Sequence, residues 1–160
     1  MTAGPLAALE PGVPPVPHMV TGLVGCWQGE GDVGGKPIWI SLRVYPVADG
    51  GFVAIDSLSI ANSDPNDRYQ THLLFGGSGT DDGRGITAFW SDSFGGAYSA
   101  TGAGLVVDGG FVVTYRYSER TFMNEWLVGD DSLTWTVTAR GPDGRETSFA
   151  RSQLRPVPCD

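Results

Sequence analysis

The segment Gly25-Cys26-Trp27-Gln28-Gly29-Glu30-Gly31 opens a chain of short alternating strands that continues almost to the C-terminus. From residue 22 onward apolar and polar residues alternate with period two, the repeat of a strand with one covered face. The pattern predicts strands near 23–31, 37–46, 51–60, 69–76, 85–93, 98–107, 110–118, 121–128, 132–140 and 145–155. Ala48-Asp49-Gly50-Gly51, Asp81-Asp82-Gly83, Asp108-Gly109-Gly110, Gly129-Asp130-Asp131 and Pro142-Asp143-Gly144 separate several of them. Asp-Gly pairs supply the positive φ that tight hairpins require. Ten strands joined by hairpins form an up-and-down meander, and closing it into an antiparallel barrel removes its exposed edges. The expected fold is therefore all-β: one closed barrel spanning 22–156, with an extended proline-rich arm at 1–21 and a short tail at 157–160. A two-sheet sandwich is the alternative, but the long Greek-key connection typical of it is missing. A barrel of this strand count is wider than side chains easily fill, so an internal cavity is expected.

Alternation splits each strand into two faces. Leu133, Trp135, Val137 and Ala139 form one apolar face; Phe111, Val113, Tyr115 and Tyr117 form another. Phe122, Asn124, Trp126 and Val128 share a face, as do Ile86, Ala88, Trp90 and Asp92. The same reading turns Phe52, Ala54, Asp56, Leu58 and Ile60 inward, and places Arg151 and Gln153 with Phe149. An isolated carboxylate in an apolar interior is costly unless it is paired, hydrogen-bonded or protonated. Asp56 and Asp92 are thus either structural anchors at strand ends or groups that handle a proton or a ligand. Asp92, Asp56, Tyr115 and Tyr117 are the catalytic candidates. Trp90, Phe111, Asn124, Trp126, Trp135 and Arg151 are the candidates for lining a ligand.

The formal net charge of -8 argues against nucleic acid and anionic membrane as partners, since both call for a basic surface. No apolar run is long enough to span a membrane. The first eighteen residues carry five prolines and no basic n-region, unlike a signal peptide, so a cytoplasmic location is expected. Cys26 and Cys159 are the only cysteines, and antiparallel pairing of the first and last strands of a closed barrel could bring them near one another. In the cytosol two free thiols are the expected state.

Other motifs lack their context. Gly29-Glu30-Gly31-Asp32-Val33-Gly34 has the letters of a dinucleotide fingerprint, but a strand follows instead of a phosphate-binding helix. Gly76-Gly77-Ser78-Gly79 lacks the lysine of a phosphate loop. The two histidines, His18 and His72, have no metal-ligand spacing, and His72 sits on the more polar face of its strand. Asp64-Pro65-Asn66-Asp67 reads as a turn in preference to a calcium loop. With two histidines and no nucleophile elbow, a Ser-His-Asp arrangement has little support. No metal and no cofactor are expected.

Gly25-Cys26-Trp27-Gln28-Gly29-Glu30-Gly31 resembles the opening strand of nitrobindin-like and related lipocalin-like bacterial proteins. Phe89-Trp90-Ser91-Asp92-Ser93-Phe94-Gly95 is similar to the tryptophan–aspartate–serine strand of a bacterial family of unknown function within that group. The likeness covers about residues 22–156 and implies a calycin-type barrel with a ligand cavity. It also implies haem held by a histidine near the C-terminal end, yet no histidine follows His72. Three functions follow. The first is a cofactor-independent enzyme of isomerase, cyclase or lyase type acting on a largely apolar organic molecule. There Asp92 or Asp56 moves the proton, and Tyr115 and Tyr117 donate to a carbonyl or enolate. The second is a carrier of an apolar ligand such as a fatty acid or polyketide-like molecule. Haem binding comes last. Either a monomer or a homodimer fits the sequence.

Overall fold

The computed structural model describes residues 12–160. Ten strands close into a single antiparallel barrel in the order β1-β10-β9-β8-β7-β6-β5-β4-β3-β2. They are β1 (Gly25–Val33), β2 (Lys36–Val47), β3 (Phe52–Ala61), β4 (Asp64–Gly77), β5 (Gly85–Asp92), β6 (Ala100–Val107), β7 (Gly110–Arg116), β8 (Thr121–Val128), β9 (Leu133–Arg140) and β10 (Glu146–Val157). Each strand pairs with its sequence neighbours, and β1 closes the ring against β10. The meander expected from the hairpin turns is the one observed. One expected turn lies elsewhere: Asp64 to Asp67 are extended residues of β4, and the chain turns at Asn62-Ser63.

The two ends of the barrel differ. At one end the short helix α1 (His18–Thr21) and its flanks close the interior. Val16, Val20 and Leu23 are buried there, and the Trp27 indole N–H donates to the Leu23 carbonyl at 2.9 Å. This part of the N-terminal arm is a plug. Residues 1–11 of the expected arm lie outside the described residues. The other end, where β5 finishes and β6 begins, has no such cover among the described residues. Val33, Trp90, Ala100, Tyr117, Phe122 and Ala150 are only partly buried there, although they pack against the core.

Between the ends, aromatic rings fill the space that the strand count creates. Trp126 and Trp135 stack at 4.3 Å between centroids, and Phe111 stacks on Trp126 at 5.7 Å. Phe75 meets Phe111 and Trp126 edge-on, and Trp90 meets Tyr115 edge-on at 5.2 Å. Gly102 lets the Tyr115 ring lie flat against β6, since a Cβ there would stand 2.7 Å from the ring carbons. The plugged half of the barrel is therefore packed with side chains, and the expected open cavity is not present there.

Cys26 and Cys159 form a disulfide, with Cα atoms 5.3 Å apart. The expectation of free thiols is corrected by the register: Cys26 pairs with Val157, so the chain needs only two more residues to bring Cys159 back onto it. The bridge closes a loop of sequence separation 133 around the same β1–β10 seam that closes the barrel. Because β1 and β10 already hold one another, the bridge is expected to contribute about 2–4 kcal/mol. For a chain of this length its removal should lower Tm by roughly 5–15 °C. Calorimetry of the Cys26→Ser/Cys159→Ser double variant checks this, and thiol titration of the unfolded native protein should find no free thiol.

Candidate functional site

Alternation along the strands divides an apolar inner wall from a polar outer one, and the burial of successive residues shows which is which. Among the described residues no charged side chain is buried. The buried polar residues are Ser57, Ser59, Thr71, Asn124 and Ser152, all inward-facing. Ser57 and Thr71 satisfy each other across β3 and β4 at 2.6 Å. Asn124 Oδ1 accepts the Trp135 indole N–H at 2.8 Å.

Three buried polar groups have no partner: the Tyr115 hydroxyl, the Asn124 amide nitrogen and the Trp126 indole nitrogen. Register places them on one patch of wall. Asn124 and Trp126 are two apart on β8, and Tyr115 pairs with Phe122, the residue two before Asn124. Tyr115 and Asn124 are therefore diagonal neighbours, a relation that sets Cα atoms about 7–8 Å apart. Most buried polar groups are paired, and leaving one unpaired costs about 1–3 kcal/mol. All three can donate. Burial pushes the Tyr115 phenol well above its ordinary pKa, so it stays protonated.

Asp92 stands at the open end. Its Oδ2 accepts from the Tyr69 hydroxyl at 2.7 Å and from the Trp90 indole N–H at 2.9 Å. Its Oδ1 accepts from the Phe94 backbone N–H at 2.9 Å. This carboxylate ties β4 and β5 to the connection Ser93–Ser99. The connection turns at Gly95, whose φ of 96° suits glycine, and carries Phe94 and Tyr98 out beside the opening. The Tyr117 hydroxyl holds the Tyr98 carbonyl at 2.8 Å. Burial, then the bond to Asp92, raises the Tyr69 pKa; burial, then the Asp92 charge, raises that of Tyr117.

Asp92, Trp90, Tyr115, Tyr117, Phe111, Asn124, Trp126 and Trp135 thus share the interior and its opening, on the faces that alternation predicts. Two residues do not. Asp56 lies on the outer wall, because β3 buries Val53, Ile55, Ser57, Ser59 and Ala61. Both faces of β3 carry apolar residues, so alternation was ambiguous. Cross-strand neighbours share a face, and Asp56 sits between Arg43 and His72, both exposed. That row was the available signal. Arg151 is also outside. A bulge between Ser148 and Ala150 leaves Phe149 unpaired and shifts the face, so Ala150, Ser152 and Leu154 turn inward.

The residues do not fit haem. His72 is on the outer wall and His18 is exposed on α1, so neither histidine faces the interior. Among the described residues there is no group of three or more His, Cys, Asp and Glu able to hold a metal ion. No helix among them is long and apolar enough to cross a membrane.

No family model matches this chain, and no curated protein does. Solved structures do share its architecture. Rv2717c from M. tuberculosis superposes with a TM-score of 0.65 at 11% identity, covering 89% of this chain and 99% of that one. The S-type phycobiliprotein lyase CPES from Guillardia theta gives 0.64 at 12% identity, covering 89% and 93%. Such likenesses speak for the fold: a closed, ten-stranded, calycin-like barrel.

Replacing Asp92 by Ala removes the acceptor of three donors and should destabilise the protein by about 2–3 kcal/mol. Denaturant unfolding measures the loss. The buried tyrosines set an alkaline limit. Tyr69, Tyr115 and Tyr117 keep their protons in the folded barrel above the ordinary value of 10.0, whereas the unfolded chain releases them there. Their contribution to stability is complete below pH 10 and is lost as pH rises beyond it. Tyrosine absorbance at 295 nm and circular dichroism should therefore change together in an alkaline titration.

Proposed function

We propose that the barrel binds a small, largely apolar organic molecule bearing a neutral acceptor oxygen, such as a ketone, amide or ester carbonyl. The ligand enters at the open end and passes Trp90 to reach the inner wall. The supporting observation is the patch of Tyr115, Asn124 and Trp126, three donors without partners below the only end that α1 does not cover among the described residues. An acceptor oxygen in their midst would offset the cost of leaving them unpaired.

Charge narrows the ligand class. No lysine, arginine or histidine faces inward among the described residues, and Asp92 stands at the entrance. A carboxylate would be drawn past one negative charge into a wall with no cation to pair with it. Neutral carbonyl compounds are favoured over fatty acids on this ground. Phe94 and Tyr98, exposed on a glycine-containing connection, supply aromatic surface where an entering ring would first touch.

Catalysis of isomerase, cyclase or lyase type is the second reading, favoured by Asp92 lying beside Tyr69 with Tyr117 at the same opening. A phycobiliprotein lyase shares the architecture, which is in keeping with it. The three donors that Asp92 already accepts favour anchoring over proton transfer. Kinship with nitrobindin-like proteins extends, on this reading, to the barrel and not to haem. The Cys26–Cys159 bridge favours an oxidising compartment over a cytoplasmic one.

Stacked tryptophans make the site self-reporting. Titration with flavone, a neutral aromatic ketone, should quench tryptophan fluorescence saturably, whereas laurate should not. Tyr115→Phe or Asn124→Leu should weaken flavone binding about 5–20-fold, the loss of one hydrogen bond to a buried group. Equal binding of laurate, or flavone affinity untouched by both substitutions, contradicts the reading.

A further inference from the structure

The outer wall carries a second constellation, separate from the interior. Register sets Arg43, Asp56, His72 and Ser91 side by side on β2, β3, β4 and β5, each directly opposite the next. Outward-facing residues so paired have Cβ atoms about 4.5–5.5 Å apart. Within the row, the His72 ring is oriented: its Nδ1 lies 2.5 Å from Asp56 Oδ1. The carboxylate is itself held, since Oδ2 accepts the Tyr45 hydroxyl at 2.8 Å. That bond to Asp56 raises the Tyr45 pKa, and the Arg43 guanidinium stands 5.4 Å from the Tyr45 ring centre.

With Nδ1 directed to Asp56 on β3, Nε2 occupies the far side of the imidazole. A cleft of about 330 Å³ opens beside it, lined by His72, Ser91, Leu74, Phe89, Ser99 and Thr101, and reaching Trp90 and Ala100. The lining thus combines three hydroxyl residues with the apolar Leu74 and Phe89. Ser91 Oγ, on the adjoining strand β5, donates to the His72 backbone carbonyl at 2.8 Å.

We propose that Asp56, His72 and Ser91 form a hydrolytic site for small carboxylic esters with an apolar acyl or aryl group. His72 Nε2 takes the Ser91 hydroxyl proton as Oγ attacks the ester carbonyl carbon. The tetrahedral adduct collapses, the C–O bond to the alcohol breaks, and the alcohol leaves with the proton from His72. Water then adds to the acyl-serine, again giving its proton to His72. The adduct releases the carboxylic acid, and Ser91 recovers its proton. Asp56 is a positioning residue: it holds the Nδ1–H tautomer and steadies the imidazolium that forms. The Ser99 and Thr101 hydroxyls are the nearby donors for the developing oxyanion. Leu74 and Phe89 take the apolar part of the ester.

Two readouts on the full chain test the site: hydrolysis of p-nitrophenyl butyrate, and intact mass after treatment with a fluorophosphonate, with peptide mapping. The expected results are turnover by the native protein and one phosphonyl group on Ser91. Turnover should fall about 100-fold or more in Ser91→Ala and His72→Ala, and less in Asp56→Asn, where a tautomer-holding residue is changed. His72→Ala should abolish labelling while Tm and circular dichroism stay as in the native protein, since the row is half-exposed. Turnover undiminished by Ser91→Ala overturns the proposal. So does the absence of both turnover and Ser91 labelling in the native protein, a result that needs no variant to fold.

Discussion

The width of the barrel is the constraint on which the rest depends. Ten strands enclose more space than aliphatic side chains fill, and a protein interior must be close-packed. Here the space is filled by flat rings. Trp126 lies against Trp135 on one side and Phe111 on the other, Phe75 abuts the edges, and Trp90 bridges Trp135 and Tyr115. Stacked indoles bury much area in little thickness, but each brings a polar N–H that has to be placed. Trp135 and Trp90 place theirs, on Asn124 and Asp92. Trp126 does not, and the same wall leaves Tyr115 and Asn124 short of partners. The means of filling the barrel therefore creates the polar patch on which ligand recognition would rest.

Closure is the second consequence. A meander becomes a barrel when its first and last strands pair, and here β1 and β10 pair along their length while a disulfide joins Cys26 of β1 to Cys159, two residues past β10. At the α1 end the interior is sealed by Val16, Val20 and Leu23. At the other end Asp92 gathers the Tyr69 hydroxyl, the Trp90 indole and the Phe94 amide around one carboxylate. One end is fastened by apolar contact and the other by hydrogen bonds. The hydrogen-bonded end is where inward side chains meet solvent, and so where exchange with the outside is cheapest.

Much of this was legible in the residues. Period-two alternation and Asp-Gly turns indicate ten strands, their hairpin order and the inner faces of β5, β7, β8 and β9, because both signals are local. Asp92, Trp90, Tyr115, Asn124 and Trp126 could be placed on one interior from that alone. Asp56 and Arg151 could not. On β3 the two faces are similarly apolar, and on β10 a single extra residue, Phe149, reverses the alternation. A bulge leaves no local mark that distinguishes it from an ordinary strand residue.

What the chain by itself determined is the class of fold, since strand periodicity and turn chemistry act within a few residues. The tertiary structure alone decided which residues meet across strands. Cys26 reaches Cys159, and Asp56, His72 and Ser91 align, only because register brings together positions far apart in the chain. It also decided that the plugged half of the barrel is packed: ring stacking depends on the relative placement of three strands, β7, β8 and β9, which no single strand encodes. Periodicity is a property of a segment, whereas register and packing are properties of the closed barrel.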